Sequence, residues 1–318
     1  MDIADFKKLT PHFKNAEAIV LEGWGEPLIY PELVYAVELV KEYGSRAGFV
    51  TSGWGLNKNS IRDLIRAGVD FIGFSFAGAT YETHNTIRIN SDLHTVLSTL
   101  QDLHRIKVEE KLERPRLHIV FLMLRDNLIE IPLLPDMAHD YGIGEVVLIN
   151  LIQVTNEWQE NQRVFTCGDD ERETILKDAE MRARALNIKL RISHLSPRAV
   201  TVCEEDPLRN LYISVDGEVA PCVYLYPPVS SPVKTIFCSK EYSVEKVTFG
   251  NIFKESFEAI WNNPLYVAFR NAFSARNKRF SEIYSSLLWG AEDFRSFKEN
   301  SLPQPPEPCK TCHKILGL

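Results

Sequence analysis

Residues 16–53 contain the pattern that decides the fold: AEAIVLEGWGEPLIYPELVYAVELVKEYGSRAGFVTSG. Two apolar runs rich in Val, Ile and Phe flank a segment whose apolar residues recur every three or four positions. The outer runs predict β-strands and the middle segment predicts an α-helix. Its end is expected at Gly44, because glycine suits the left-handed C-cap. A strand, a helix and a strand in this order predict a βαβ unit with parallel strands.

The same alternation continues to about residue 192. The strand-like runs are apolar at both odd and even positions, which predicts strands buried on both faces. Six such runs occupy 16–23, 47–53, 69–76, 116–124, 145–152 and 188–192. Helical stretches lie between them at 31–44, 57–68, 91–106, 127–142 and 171–186. This α/β pattern predicts a parallel sheet. Gly, Ser and Thr after successive strands favour a partial (β/α) barrel with a site at the carboxyl ends of its strands.

The pattern changes after residue 193. Residues 211–225, LYISVDGEVAPCVYL, predict a β-hairpin, because the Asp-Gly pair ending at Gly217 is a strong turn signal between two alternating runs. One helix is predicted over residues 253–273. The Pro-rich stretch 302–308 predicts an extended approach to the last cysteines. These features predict a small second unit of α+β type.

Composition limits the kind of protein this is. The chain has 318 residues, 45% apolar and 25% charged, which is ordinary for a globular protein. We predict a first domain over residues 1–195 and a second over 196–318. The net charge of −7 argues against a nucleic-acid partner. No apolar run approaches the roughly 18 residues of a membrane span, and the polar start is unlike a signal peptide. A soluble cytoplasmic protein without a membrane partner is expected.

Four of the six cysteines form a candidate metal site. The set consists of Cys203, Cys222, Cys309 and Cys312. The last two form a C-x2-C knuckle, and the first two lie on either side of the predicted hairpin turn. An all-thiolate set suits either zinc or an iron–sulfur cluster, so the spacing alone leaves the metal open. Cys167 and Cys238 are expected to pack as ordinary small side chains.

The second half resembles the SPASM or twitch domain of radical SAM enzymes. The resemblance rests on the arrangement Cys203-x13-Gly217-x4-Cys222, on residues 249–270 (FGNIFKESFEAIWNNPLYVAFR) and on the terminal knuckle. It implies that the four cysteines hold one auxiliary [4Fe–4S] cluster.

The first half resembles the radical SAM core. Residues 21–33, LEGWGEPLIYPEL, look like the "GGEP" segment that contacts the methionine amino group of S-adenosylmethionine. Residues 51–56, TSGWGL, look like the "TNG" turn, and residues 73–88, GFSFAGATYETHNTIR, resemble the fourth-strand segment. The resemblance implies an S-adenosylmethionine site formed by Gly23, Gly25, Glu26, Ser52, Ser75 and Arg88.

The chemistry of these residues agrees with that site. Gly23 and Gly25 allow the backbone to approach a ligand closely. Glu26 suits an ammonium group, the two serines suit a ribose or carboxylate, and Arg88 suits a carboxylate. Each residue also has an ordinary interpretation. Residues 25–27 could be a simple turn, the serines could be helix N-caps, and Arg88 could be a solvated charge. Their order on successive strand ends favours a site.

The sequence departs from the family pattern at both ends. No C-x3-C-x2-C loop, which binds the catalytic [4Fe–4S] cluster of the family, precedes residue 16. The first barrel strand and this loop are therefore expected to be absent, which would leave the edge of the next strand unpaired. No cysteine follows Cys312, so a second auxiliary cluster is not expected.

The resemblance implies an oxidoreductase-type reaction. Its parent activity is reductive cleavage of S-adenosylmethionine and radical modification of a peptide or small-molecule substrate, with an electron-donor protein as a candidate partner. The chain alone is expected to be inactive because it carries no catalytic cluster loop. The alternative is a non-catalytic iron–sulfur or zinc-binding protein that acts in binding or scaffolding.

Overall fold

The computed structural model describes residues 1–165, 170–288 and 302–318, and for 170–173 and 286–288 the backbone only. Cys167 lies outside the described residues. The main sheet is formed by β1 (Ala18–Val20), β2 (Arg46–Thr51), β3 (Phe71–Phe76), β4 (Arg116–Met123), β5 (Glu145–Asn150) and β6 (Lys189–Ile192). The helices along this part of the chain are α1 (Ile3–Phe13), α2 (Leu33–Glu42), α3 (Lys58–Ala67), α4 (Tyr81–Ile87), α5 (Leu93–Glu109), α6 (Leu134–Asp140), α7 (Glu157–Gln162) and α8 (Asp170–Ala185).

The six strands are parallel and lie in the order in which they occur along the chain. Each therefore pairs with its sequence neighbour through a helical crossover. This topology confirms the predicted α/β fold of partial-barrel type. Within the described residues β1 pairs only with β2 and forms one edge of the sheet.

The prediction that the strands are buried on both faces was wrong. Burial alternates along β4: Ile119 and Phe121 are fully buried under the helices, whereas the intervening side chains are only half-buried. At two half-buried positions, bulky side chains approach a glycine on the neighbouring strand. A Cβ on Gly73 would lie 2.4 Å from Nε2 of His118, and one on Gly48 would lie 2.4 Å from the ring of Phe71. A side chain at either glycine would force its neighbour to shift.

Local signals fix most helix ends. Asn57 caps α3 through a capping box with Ser60, and Gly68 ends it in the left-handed conformation with φ of 86°. One helix prediction in this part of the chain was wrong. Residues 127–142 are not one helix, because a 3-10 helix, Arg125–Leu133, with Pro132 inside it, precedes α6. The short helices α4 and α7 were not predicted.

The second half is built around short hairpins and a long helix. Its elements are β7 (Tyr212–Ile213), β8 (Val219–Ala220), β9 (Val233–Phe237), β10 (Lys240–Val244), α9 (Phe257–Trp261) and α10 (Pro264–Leu288). β7 and β8 are antiparallel, as the Asp-Gly turn predicts, and Gly217 has φ of 83°. The single helix predicted over 253–273 was wrong: α9 and α10 are separate, because Pro264 starts a new helix and the side chain of Asn263 accepts from the Leu265 N–H.

Two clusters of buried apolar side chains support these parts. One lies between the main sheet and its helices, and the other contains Phe249, Tyr266 and Phe273 from the second half. The division into 1–195 and 196–318 stays a prediction. None of the described helices is both long and apolar enough to span a membrane.

Candidate cofactor sites at the carboxyl edge of the sheet

Glu26 connects the loop after β1 to the end of β2. It precedes a short 3-10 helix, Pro27–Ile29, and caps it by accepting the Leu28 N–H at 3.1 Å. The same carboxylate accepts hydrogen bonds from the Thr51 hydroxyl and from the backbone N–H and hydroxyl of Ser52, the last two at 2.8 and 2.7 Å. The negative charge is therefore held in one orientation at the edge of the sheet.

The carboxylate of Glu26 is saturated by these four bonds, since a carboxylate offers about four acceptor positions. Two of the donors are hydroxyl groups, one on each oxygen. Because a hydroxyl can rotate, each oxygen can release one position to an incoming ammonium group while its backbone donor stays in place. The site thus fits an amino group without rearrangement of the backbone.

The other predicted cofactor-binding residues lie at the same edge. A side chain at Gly25 would meet no atom within 4 Å, so the backbone there is open, whereas one at Gly23 would lie 3.2 Å from the Tyr212 hydroxyl oxygen. Thr51 pairs with Phe74, which brings the next residues, Ser52 and Ser75, to adjacent strand ends.

Arg88 ends α4 and is half-buried rather than solvated. Burial lowers the pKa of its guanidinium, and the negative charge of Glu26 opposes that effect. The serines are not helix caps, because Asn57 caps α3 and Thr80 caps α4. The structure therefore brings the six residues to one edge, and their role in binding a ligand stays a prediction.

Sequence analysis also missed residues that support this edge. Glu130 accepts bonds from the Ala79 N–H at 2.6 Å, from the Thr80 N–H and hydroxyl, and from the Thr83 hydroxyl. Burial alone would raise the pKa of Glu130, but these bonds lower it overall. They fix the turn that starts α4 and so the position of Arg88. No local sequence signal connects Glu130 to a turn about 50 positions earlier.

His84, on the next turn of α4, is fully buried. Its Nε2 lies 3.0 Å from the Ser91 hydroxyl oxygen. Burial, together with the positive charge of Arg88, lowers the pKa of His84 to about 4. The imidazole is therefore neutral near pH 7 and serves as packing and hydrogen-bonding support for the turn.

The four cysteines of the candidate metal site occupy three loops. Cys203 lies in a turn before β7, Cys222 follows β8, and Cys309 and Cys312 lie on the terminal knuckle. Cys238 is exposed at the tip of the hairpin between β9 and β10.

Each thiol of this set has a raised pKa because it is desolvated, and at Cys203, Cys222 and Cys309 neighbouring thiols also raise it. The pKa of Cys203 is raised to about 11 by burial and by Cys312. Burial raises the pKa of Cys222 and Cys309 as well, and the neighbouring cysteines add to it. The structure thus brings the predicted set into one electrostatic neighbourhood.

Backbone N–H groups donate to three of these thiols and lower their pKa. The donors are Glu205 to Cys203, Leu225 to Cys222, and Lys314 and Ile315 to Cys312. Such donors stabilise thiolates, which are the metal-binding form.

The donor set fits an all-thiolate metal centre. Four thiolates in one partly buried place repel one another unless a cation neutralises them. Among the residues with described side chains, no three His, Cys, Asp or Glu form a ready-made site for a single metal ion. The cysteines affect one another electrostatically, and backbone N–H groups donate to three of them. Four thiolates can bind either zinc or an iron–sulfur cluster.

Arg276 of α10 holds the cysteine-bearing loops together. It is 4% exposed and its guanidinium donates to the carbonyls of Val200 at 2.6 Å, Thr201 at 3.2 Å and Pro303. The first two carbonyls lie just before Cys203, and the third precedes the terminal knuckle. A single buried side chain thereby joins two segments that are distant in sequence.

The loops that carry the two candidate sites are in contact. The indole N–H of Trp24, in the loop that carries Glu26, donates to the Val223 carbonyl at 3.1 Å, and its ring meets the Tyr224 ring edge-on at 6.2 Å. Both partners directly follow Cys222. The Glu26 loop therefore lies against the loop that carries one of the candidate metal ligands.

Comparison with known proteins agrees with this architecture. Residues 203–285 match the family described as SPASM, an iron–sulfur cluster-binding domain. A curated relative, the tungsten-containing aldehyde ferredoxin oxidoreductase cofactor-modifying protein of Pyrococcus furiosus, is 26% identical over 283 residues, which cover 89% of this chain and 77% of the relative.

Solved structures of radical SAM enzymes share the fold. Streptococcus suis SuiB bound to S-adenosylmethionine matches with a TM-score of 0.58 and 12% identity, over 83% of this chain and 60% of that chain. SuiB bound to its precursor peptide SuiA matches with a TM-score of 0.55 and 11% identity, over 98% of this chain and 63% of that chain. The enzyme anSMEcpe with bound AdoMet matches with a TM-score of 0.58 and 14% identity, over 85% of this chain and 74% of that chain.

This chain thus spans about three-fifths of the SuiB chain. These findings confirm the predicted resemblance: residues 203–285 match the SPASM iron–sulfur cluster-binding domain, and the parallel sheet before them shares its fold with SuiB and anSMEcpe.

Proposed function

We propose that this chain contributes an S-adenosylmethionine site and an auxiliary [4Fe–4S] cluster to a radical SAM enzyme that modifies a peptide or a small molecule. The observation that carries this proposal is the contact of Trp24 with Val223 and Tyr224, which joins the Glu26 loop to the cysteine site. A cofactor at the sheet edge and a cluster at the cysteines would be neighbours across that contact.

At the sheet edge, Glu26 receives the amino group of the cofactor and the open backbone at Gly25 admits it. Ser52 and Ser75, on adjacent strand ends, are donors for its ribose or carboxylate. Arg88 supplies the positive charge that a carboxylate needs in a half-buried position. Glu130 and the other supporting residues hold this edge in a fixed conformation, so that the binding groups are already positioned when the cofactor arrives.

In the second domain Cys203, Cys222, Cys309 and Cys312 hold the cluster. Such a cluster, when bound, supplies one-electron transfer at a potential set by its charge environment and hydrogen bonds. The chain contributes the four thiolates, the backbone N–H groups that stabilise them and partial shielding from water.

Cleavage of S-adenosylmethionine in this family depends on a cluster with an open iron position, and this chemistry belongs to the cofactor and not to side chains. The 318 residues contain no C-x3-C-x2-C motif, and four cysteines leave no iron open. We therefore expect no cleavage by this chain alone.

Two relatives guide the substrate class. The name of the Pyrococcus furiosus protein says that it modifies a cofactor, and one SuiB structure contains a precursor peptide. A peptide or a small molecule is therefore the substrate proposed for this chain, with an electron-donor protein to reduce the clusters.

Anaerobic reconstitution followed by binding measurements tests the proposal. The chain should take up about four irons and show a broad thiolate-to-iron absorption band. It should also bind S-adenosylmethionine in calorimetry. Glu26→Gln should weaken binding at least tenfold, because it removes a charge-assisted interaction of about 1.5–3 kcal/mol. The matched control Glu32→Gln, on an exposed carboxylate whose side chain makes no capping hydrogen bond, should bind as the unaltered chain does.

Three outcomes would contradict the proposal. One zinc per chain with no uptake of iron would reject the cluster. Iron uptake without S-adenosylmethionine binding would favour the non-catalytic iron–sulfur protein. Formation of 5′-deoxyadenosine by the purified chain with dithionite alone would reject the expectation that a further cluster is required.

A further inference from the structure

Lys314 is a buried cation beside the cysteine site. It lies two positions after Cys312 and is 8% exposed. Its ammonium lies 2.9 Å from Oε2 of Glu204 and 3.5 Å from Oε1 of Glu205, and 5.8 Å from the centre of the Tyr224 ring. A lysine is rarely so buried unless it is paired. The position is therefore built for a fixed positive charge.

The charge is held in place by its partners. Burial alone would lower the pKa of Lys314, but Tyr224, Glu205 and Glu204 raise it overall. Lys310, on the same knuckle, differs: its side chain is 40% exposed and pairs with Glu307, which is 83% exposed. Screening by water makes that surface pair a weak influence on its surroundings.

Lys314 and Glu205 place opposite charges where the cysteine-bearing loops meet. Glu204 and Glu205 directly follow Cys203, and Tyr224 lies two positions after Cys222, so the partners of the ammonium come from the loops that carry the other candidate ligands. Reduction of a bound cluster by one electron adds one negative charge there. A nearby positive charge favours that addition and a nearby negative charge opposes it.

We propose that Lys314 is a positioning residue for electron transfer: its buried ammonium makes the cluster held by the four cysteines easier to reduce, and Glu205 limits that effect. The inference rests on the proposed function, since it requires a cluster at these cysteines. It assigns the charge balance of the centre to two residues that do not ligate it.

Redox titration of the reconstituted full chain, followed by electron paramagnetic resonance, tests the assignment. Lys314→Gln should lower the equilibrium constant for one-electron reduction about tenfold, equal to a fall of about 59 mV. Glu205→Gln should raise it several-fold, because the ammonium loses a neutralising partner while the Glu205 N–H is kept. Lys310→Gln and Glu307→Gln are the matched controls, and both should leave the potential unchanged.

Iron content, measured first, separates the two proposals. If the unaltered chain takes up no iron, the proposed cluster fails and the inference fails with it. If iron is bound and Lys314→Gln and Glu205→Gln do not shift the potential in opposite directions, the role of Lys314 is rejected and the cluster stands. Should Lys314→Gln fail to retain iron, the sign of the Glu205→Gln shift decides: a rise supports the inference, and no change or a fall overturns it.

Discussion

The surroundings of Glu26 stabilise a negative charge, whereas those of Cys312 disfavour one. Glu26 accepts four hydrogen bonds from the chain itself, so its carboxylate is stabilised before any ligand arrives. At Cys312 burial raises the thiol pKa, and the negative charge of Glu205 also raises it. The protein alone therefore stabilises the carboxylate at the sheet edge, whereas the cysteines need a bound metal to be stable as thiolates.

The strongest test of this contrast is loss of one candidate ligand. Cys309→Ala should reduce iron uptake from about four per chain to near zero, because a four-iron cluster uses four thiolates. The second half of the chain should also melt at a lower temperature, since metal binding and folding are coupled. Iron assay and circular dichroism measure both effects. Cys238→Ala, at the exposed hairpin tip, should keep full iron, and loss of iron there would contradict the ligand assignment.

A second test concerns the buried guanidinium that joins the cysteine loops. Arg276→Met should lower the free energy of unfolding by about 3 kcal/mol or more, because several carbonyls lose a charged donor. Urea unfolding followed by circular dichroism gives the value. Arg279→Met provides the control on the same helix, since Arg279 is exposed and pairs with Glu282 at 3.6 Å. Its loss should change stability by less than about 0.5 kcal/mol.

The pH dependence of stability tests the support of the sheet edge. Folding lowers the pKa of His84 to about 4 from 6.5, so the unfolded chain takes up a proton first as the pH falls. The contribution of His84 is complete above pH 6.5 and is lost between pH 6.5 and 4. Between pH 7.5 and 5 it should amount to about 2 kcal/mol.

Urea unfolding at both pH values measures that loss. His84→Asn should remove about this much of the pH dependence, whereas the exposed His139→Asn should retain it. Equal slopes for the unaltered chain and His84→Asn would show that the imidazole is protonated in the folded state.

The smallest expected effect tests whether the sheet edge and the cysteine site are independent of each other. Thr51→Val removes one hydroxyl donor to Glu26 and should cost about 1 kcal/mol of unfolding free energy. Iron uptake should not change, because the cysteine site does not use this bond. The exposed Thr86→Val should leave both quantities unchanged. A drop in iron with Thr51→Val would mean that the sheet edge and the cysteine site are not independent.

The sheet was predictable because its signals are local. Apolar runs, spacing of three or four residues and glycine at helix ends each act within about 15 positions, and the parallel order follows from alternation. The break at Pro264 was also visible in the sequence, but the apolar spacing across it suggested one helix. Burial on one face was not predictable, since apolar residues at half-buried positions look the same in sequence as those in a core.

Some residues of the candidate sites were predicted from the sequence and others were not, for a related reason. Glu26, Ser52 and the cysteines belong to short motifs, and the motifs lie where the strands end. Thr51, which directly precedes Ser52, was overlooked because its role depends on a carboxylate 25 positions away. Arg276 was invisible in sequence, because its three acceptors are backbone carbonyls that any residue could provide.

The ion pair between Lys314 and Glu204 joins residues 110 positions apart. In the main sheet, by contrast, every strand pairs with the next one along the chain. Closing a loop of that length costs about 4 kcal/mol of chain entropy, so the knuckle docks late in folding and opens before the sheet does. Amide hydrogens near residues 198–204 and 309–316 should accordingly exchange with solvent sooner than those of β3 and β4 in the metal-free chain.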